Sequence, residues 1–241
     1  NKEVINTSYI QSSDTRVTTN KVRIMGRNQQ MMRLDHEHTN DITSEQEAAL
    51  LNSFYKYVDT EKPSLIILED YNKGVLTPNI ITSVIDYCNA KGIPTAVDPK
   101  QKNFLAYKNC TLFKPNLKEV KEGLKITIGD ITLQNMNKVH TVLNENLHNA
   151  ISFITLSEHG VYFSDGKEQK LIPTHIRNIS DVSGAGDTVI AVASLVYASS
   201  KNMLLAAEIS NIAGGMVCEL VGTAPINKND LAAEVAKLLT K

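Results

Sequence analysis

Apolar residues in this chain come in short runs separated by longer amphipathic stretches. Leu65-Ile66-Ile67-Leu68, Thr95-Ala96-Val97, Thr111-Leu112-Phe113 and Ile151 to Leu156 are the short runs. Runs of that length without alternation read as buried parallel strands. Between them the spacing changes to helical. Ser44 with Glu47 forms a capping-box pattern for a helix to about Val58. Thr77-Pro78 opens a second helix that stops at Gly92. Further helices are predicted over 117–124 and from about Thr132 to Leu147. Val161 to Phe163 and Gln169 to Ile172 read as a hairpin turning at Asp165-Gly166. The last third is mostly helical, over 185–198, 203–220 and 229–239. Residues 4–10 and 16–25 are rich in Val, Ile, Thr and Tyr and read as strands. Strands alternating with helices imply an α/β fold, a mostly parallel sheet covered on both faces. In such a sheet ligands collect at the carboxyl ends of the strands.

Polar groups fall at those ends. Glu69 to Gly74 follows the first buried strand, Asp98-Pro99-Lys100 the second, Lys114-Pro115-Asn116 the third and Ser157 to Gly160 the fourth. Four polar loops in register with four apolar runs define a common rim. The richest stretch is Asp181-Val182-Ser183-Gly184-Ala185-Gly186-Asp187-Thr188. It is a glycine turn leading into a helix that is apolar nearly all round. The first N–H groups of a helix lack internal partners and the dipole there is positive. Glycines let an anion approach that backbone. Asp187 stands beside the turn as a proton acceptor. The pairing suits phosphoryl transfer, in which the turn takes growing negative charge and the carboxylate takes a hydroxyl proton. An acidic residue in a first helical turn is also an ordinary capping choice.

Composition narrows the partners. The chain has 241 residues, 42% of them hydrophobic, and a formal net charge of −1. Nothing in that balance points to nucleic acid or to a membrane surface, and no apolar run reaches the roughly 20 residues that span a bilayer. Cys88, Cys110 and Cys218 are scattered without C-x-x-C spacing. A reduced, cytoplasmic protein with buried thiols is expected.

The string Asp181 to Asp187 resembles the signature of the ribokinase/PfkB family of small-molecule kinases. The resemblance implies a ribokinase-like fold with a small β lid, ATP as phosphoryl donor and Mg²⁺ as cofactor. It makes Asp187 the catalytic base and the backbone of Gly184, Ala185 and Gly186 the anion hole. Asn116-Leu117-Lys118-Glu119 resembles the family's Asn-x-x-Glu motif, which would set Asn116 and Glu119 around Mg²⁺ and phosphate through water. The same four residues also read as a helix start capped by Asn116. Thr155, Ser157 and Gly160 match the nucleotide-binding turn. Asn211 and Gly215 lie where the family builds its adenine pocket, with close helix packing as the alternative for Gly214-Gly215.

Within the family, residues 20–35, with Asp70 to Gly74 and Val97 to Lys100, resemble the bacterial heptose 7-phosphate kinases of ADP-heptose synthesis. Lys21, Arg23 and Arg27 alternate and so share one face of an extended strand. With Lys73 and Lys100 they would contact a sugar phosphate. His36 and His38 read as surface residues. Residues 16–35 are expected to leave Val22, Ile24 and Met32 uncovered, which a second copy would bury as a homodimer.

The family's sugar-binding Gly-Asp and Gly-Gly-Ala-Asn-like motifs, with their strand, are expected to precede Asn1. The chain is then the later part of one ribokinase-like kinase domain, with an exposed sheet edge and uncovered helix faces such as Leu50-Leu51-Phe54. The expected activity is ATP-dependent phosphorylation of the anomeric hydroxyl of a heptose 7-phosphate. The alternatives are a kinase for another sugar or a nucleoside, or a nucleotide-binding fragment without turnover. A Rossmann dehydrogenase fits less well, because Gly-x-Gly-x-x-Gly spacing is missing.

Overall fold

The computed structural model describes residues 5–26, 29–175 and 177–239. Its centre is a six-stranded sheet in the order β3-β4-β5-β6-β7-β8. The strands are β3 (Ile66–Glu69), β4 (Thr95–Asp98), β5 (Leu112–Phe113), β6 (Ile151–Thr155), β7 (Val161–Ser164) and β8 (Gln169–Ile172). β3 to β6 run parallel, whereas β7 and β8 close the sheet as an antiparallel meander. The fold is α/β, as the alternation of strands and helices predicts.

Side-chain alternation divides the core in two. Val97, Phe113, Ile154 and Tyr162 face one cluster with residues of α2 (Pro78–Lys91) and α4 (Leu133–Leu147). α1 (Ser44–Glu61) and α3 (Leu117–Leu124) pack there too. Ala96, Leu112, Phe153 and Phe163 face the opposite cluster with α5 (Ala185–Ser200) and α6 (Met203–Cys218). Consecutive residues of one strand thus serve opposite layers. α7 (Lys228–Leu239) follows and buries no residue fully.

Local rules place most of the ends. Pro78 at the first turn and Gly92 in the left-handed region bound α2. The cap of α1 is one residue earlier than the sequence predicts. Thr43 accepts from Gln46 N at 3.2 Å, and the Gln46 side chain accepts from Thr43 N at 3.0 Å. Glu47 is instead taken by Thr77 and by Asn79. The turn at Asp165-Gly166 forms as expected, with Asp165 Oδ1 accepting from the backbone N–H of Lys167 and Glu168. All three cysteines are free and buried. No helix among the described residues is long and apolar enough to cross a membrane.

The amino-terminal expectation fails in part. Residues 5–10 form no strand. The Asn6 side chain accepts from Ser8 N at 3.0 Å, a local turn that competes with extended backbone. Residues 16–19 are also outside any strand. The extended segment starts later, as β1 (Asn20–Gly26), and pairs with β2 (Gln29–His36) in an antiparallel hairpin separate from the main sheet. β3 is an edge of the main sheet among the described residues. Leu50, Leu51 and Phe54 still pack, partly buried, against the core.

Candidate active site

Three carboxylates converge at the carboxyl edge of the sheet. Glu69 ends β3 and Asp98 ends β4, and the parallel register sets them side by side. Asp187 comes from the first turn of α5. One oxygen from each lies within 4.8 Å of the others. Burial pushes the Glu69 carboxyl up to about 8, with the neighbouring Asp98 charge as the next cause. Lys114, just past β5 and 2% exposed, opposes that shift. Its ammonium forms an ion pair with Asp98 Oδ1 at 3.1 Å, without hydrogen-bond geometry.

The turn ahead of α5 is held by its own first residue. The Asp181 carboxylate accepts from Ser183 N at 2.9 Å and from Gly222 N at 3.1 Å. Those backbone donors keep its pKa below the ordinary value. Gly184 caps the helix at φ 80°, a conformation that side-chain-bearing residues resist. Of the three expected backbone donors, the Ala185 N–H is already turned to Val182 O at 3.3 Å. The Gly186 N–H has no acceptor among the described residues. A methyl on Gly186 would stand 3.7 Å from Lys114 Nζ and 3.9 Å from Asp98 Oδ2. Helix terminus, buried ammonium and acidic cluster therefore occupy one spot.

A cavity of about 720 Å³ opens beside it. Asp187, Gly184, Glu69 and Tyr71 line it together with Lys21 and Arg23 of β1 and Lys73. The structure thus brings together five of the residues singled out in the sequence. Arg27 lies outside the described residues. Lys73 pairs with Glu37. Lys100 is not among the lining residues. It turns to Glu119 at 2.7 Å and lies 3.8 Å from Asp98, and these two anions hold it protonated against the opposing effect of burial. On the hairpin, Lys21 and Arg23 alternate with Val22 and Ile24, which pair across to Leu34 and Met32. Those four apolar residues are 44–54% exposed.

The remaining expected residues sit apart from the cavity. Asn116 and Glu119 form a full capping box for α3, with bonds of 2.8 and 2.9 Å. Both Glu119 oxygens are engaged, one by Asn116 N and one by Lys100. The helix-start reading is therefore what these two residues show. The three clustered carboxylates supply hard oxygen donors suited to a divalent cation such as Mg²⁺.

Thr155 bridges to Asn116, so the third and fourth strand ends do meet. Ser157 and Gly160 both have positive φ, 55° and 87°. A methyl on Gly160 would come within 2.0 Å of Ile172 O, so packing alone demands glycine there. Asn211 donates to Pro173 O at 2.9 Å. On Gly214 a methyl would press Val189, and on Gly215 it would meet Arg177, at 2.6 and 2.9 Å. Close packing thus accounts for both glycines. A second cavity of about 590 Å³ nearby is lined by Thr174, His175, Arg177, Glu219, Glu234, Lys237 and Leu238. None of the six expected nucleotide-binding residues lines either cavity.

Sequence reasoning passed over Glu69, Asp98, Lys114 and Tyr71 as working residues. The first three carried a signal, polar side chains at the ends of adjacent buried strands. Tyr71 carried none.

Comparison with known proteins identifies the family. The model of the pfkB family carbohydrate kinases matches residues 1–230. Bifunctional protein HldE of Sulfurimonas denitrificans is 34% identical over 234 residues, covering 97% of this chain and 48% of that protein. HldE of Methylobacillus flagellatus is 37% identical over 229 residues, covering 95% and 46%. The chain therefore spans about half the length of the curated relatives it matches. Among solved structures, phosphofructokinase-2 from Escherichia coli superimposes with a TM-score of 0.74 at 15% identity, covering 87% of this chain and 67% of that one. Arabidopsis thaliana ribokinase complexed with ribose and ATP gives 0.69 at 12% identity, covering 93% and 70%. These two likenesses speak to the fold. The chain belongs to the pfkB family of carbohydrate kinases.

Proposed function

We propose that this pfkB-family chain transfers the terminal phosphoryl group of ATP to a hydroxyl of a phosphorylated sugar, the anomeric hydroxyl of a heptose 7-phosphate. The observation that carries the reading is the single cavity lined both by Asp187 and Gly184 of the α5 terminus and by Lys21 and Arg23. Asp187 takes the hydroxyl proton as the sugar oxygen bonds to phosphorus and the bond to ADP breaks. The Gly184–Gly186 turn and the buried Lys114 meet the charge on the moving phosphoryl group. Lys21, Arg23 and Lys73 hold the acceptor's own phosphate. Mg²⁺, when bound, neutralises phosphate charge. Glu69 and Asp98 are the residues that would hold it directly, with Asp187 beside them kept for the proton and Asn116 and Glu119 beyond. ATP would lie toward Thr155, Ser157, Gly160, Asn211 and Gly215. The apolar side of the hairpin, turned the opposite way from Lys21 and Arg23, fits a second copy, which makes the protein a homodimer.

The test is a panel of sugars and nucleosides with and without a phosphate. Phosphorylated heptose should be turned over best. Arg23→Ala should raise its KM roughly ten- to a hundredfold, the scale of one charge-assisted hydrogen bond, and leave unphosphorylated acceptors unaffected. Equal use of unphosphorylated sugars would exclude a sugar-phosphate acceptor. ATP binding with no turnover of any acceptor would leave a nucleotide-binding module.

A further inference from the structure

Tyr71 touches Asp187 directly. Its hydroxyl donates to Asp187 Oδ2 at 2.7 Å. The two residues come from opposite ends of the chain's working half, Tyr71 from the loop after β3 and Asp187 from α5. Their contact is a product of the fold.

The loop that presents Tyr71 is anchored on both sides. Asp70 is 3% exposed. Its Oδ2 accepts from the buried Tyr107 hydroxyl at 2.8 Å and its Oδ1 from Asn72 N at 2.7 Å. Gly74 ends the loop at φ 74°, packed so closely that a methyl would come within 1.8 Å of Asn40 O. Tyr71 therefore projects from a fixed base. On the other side of its ring, Lys21 Nζ lies 5.4 Å from the centroid, within range of a cation–π contact. The hairpin thus reaches Asp187 through one aromatic ring. Burial, and next the bond to Asp187, raise the Tyr71 hydroxyl well above the ordinary tyrosine value. It stays a donor at neutral pH.

We propose that Tyr71 is the positioning residue of Asp187, holding Oδ2 so that Oδ1 is left to take the acceptor's proton. The role rests on the kinase reading above. Tyr71 keeps its own proton throughout and is not a catalytic residue. A carboxylate with both oxygens free rotates about its Cβ–Cγ bond, whereas one oxygen pinned by a rigid donor fixes the plane of the other. Pre-set geometry of this kind lowers the barrier without altering nucleotide affinity.

The experiment is a double-mutant cycle on this chain with the best acceptor from the panel. Tyr71→Phe removes only the hydroxyl and keeps the ring under Lys21. Its kcat should fall roughly ten- to a hundredfold, with the KM for ATP within about twofold. In the Asp187→Asn background the same change should cost nothing further, because the two residues act as a unit. An unchanged kcat, or a full additive loss in the double variant, overturns the proposal. A crystal structure of the Tyr71→Phe protein supplies a readout independent of turnover. An Asp187 carboxylate swung out of its present plane supports the positioning role, and one left in place overturns it. A wild-type chain that phosphorylates no acceptor would defeat the kinase reading alone, and the crystal would still decide the role of Tyr71.

Discussion

The wall of the cavity that carries Asp187 and the wall that carries Lys21 and Arg23 are held by different means. Behind Asp187, Val189, Ile190 and Ala193 of α5 pack against Phe153 and Phe163 of the sheet, and the turn is pinned by Asp181. Behind Lys21 and Arg23 runs the partner strand β2, and Val22 between them is about half exposed. A two-stranded ribbon has no interior of its own. One wall is rigid because its neighbours leave it no other packing. The other takes its position from whatever touches its ends, Tyr71 and the pocket itself. Under the proposed activity this separates bond-making from recognition, and each can be perturbed alone.

The sharpest division comes from Asp187→Asn, which keeps shape and removes proton affinity. Turnover should fall by roughly 10²–10⁴, while the acceptor KM, set by the opposite wall, moves little. A comparable rise in that KM would show that the two walls are not separable. Next in size is a pair of truncations read as stability. Phe163→Ala, at a site with 0% exposure, should cost about 3–5 kcal/mol in denaturant unfolding. Leu34→Ser, 53% exposed on the hairpin, should change stability by under about 0.5 kcal/mol yet shift light scattering from dimer to monomer. A monomeric wild type, or a Leu34 variant as unstable as the Phe163 one, would break the comparison.

A further effect is a pH dependence on the rigid wall. Glu69 is raised from 4.5 to about 8 in the folded protein. The folded state therefore keeps a proton that the unfolded chain gives up. The stability tied to Glu69 is complete below the ordinary value and is lost as pH rises through the folded one. Glu69→Gln removes this slope. Thermal melts across that window should show the variant gaining on wild type as pH increases. A constant gap would mean that Glu69 is not held protonated.

The parts of this picture that were legible in the sequence are those fixed within a few residues. The ends of α2 at Pro78 and Gly92, the Asp165-Gly166 turn and the positive φ of Gly184 depend on local backbone geometry, so residue types reveal them, whereas the α1 cap falls one residue earlier than its sequence pattern implies. Residues 5–10 misled because β-branched content was read without the side chain of Asn6, which closes a turn there. The acidic cluster was half legible. Strand ends locate Glu69 and Asp98, but only the parallel register puts them side by side. The Tyr71–Asp187 contact spans 116 positions, and no periodicity reports such a pair. Glycine was the most ambiguous letter. Gly160 and Gly215 match nucleotide motifs, yet the structure already demands both for close packing.

The antiparallel meander that closes the sheet has a kinetic consequence. β6, β7 and β8 are joined by short turns, and α5 and α6 by Lys201 and Asn202 alone. Their contacts are near in sequence, and short loops close at the lowest entropic cost. β5 meets β6 only after a connection that contains α3 and α4, and each parallel pairing before it spans a helix or a long loop. The topology gives the carboxyl-terminal half the lower loop-closure cost. The parallel strands β3 to β5, by contrast, depend on β6 to complete their pairing.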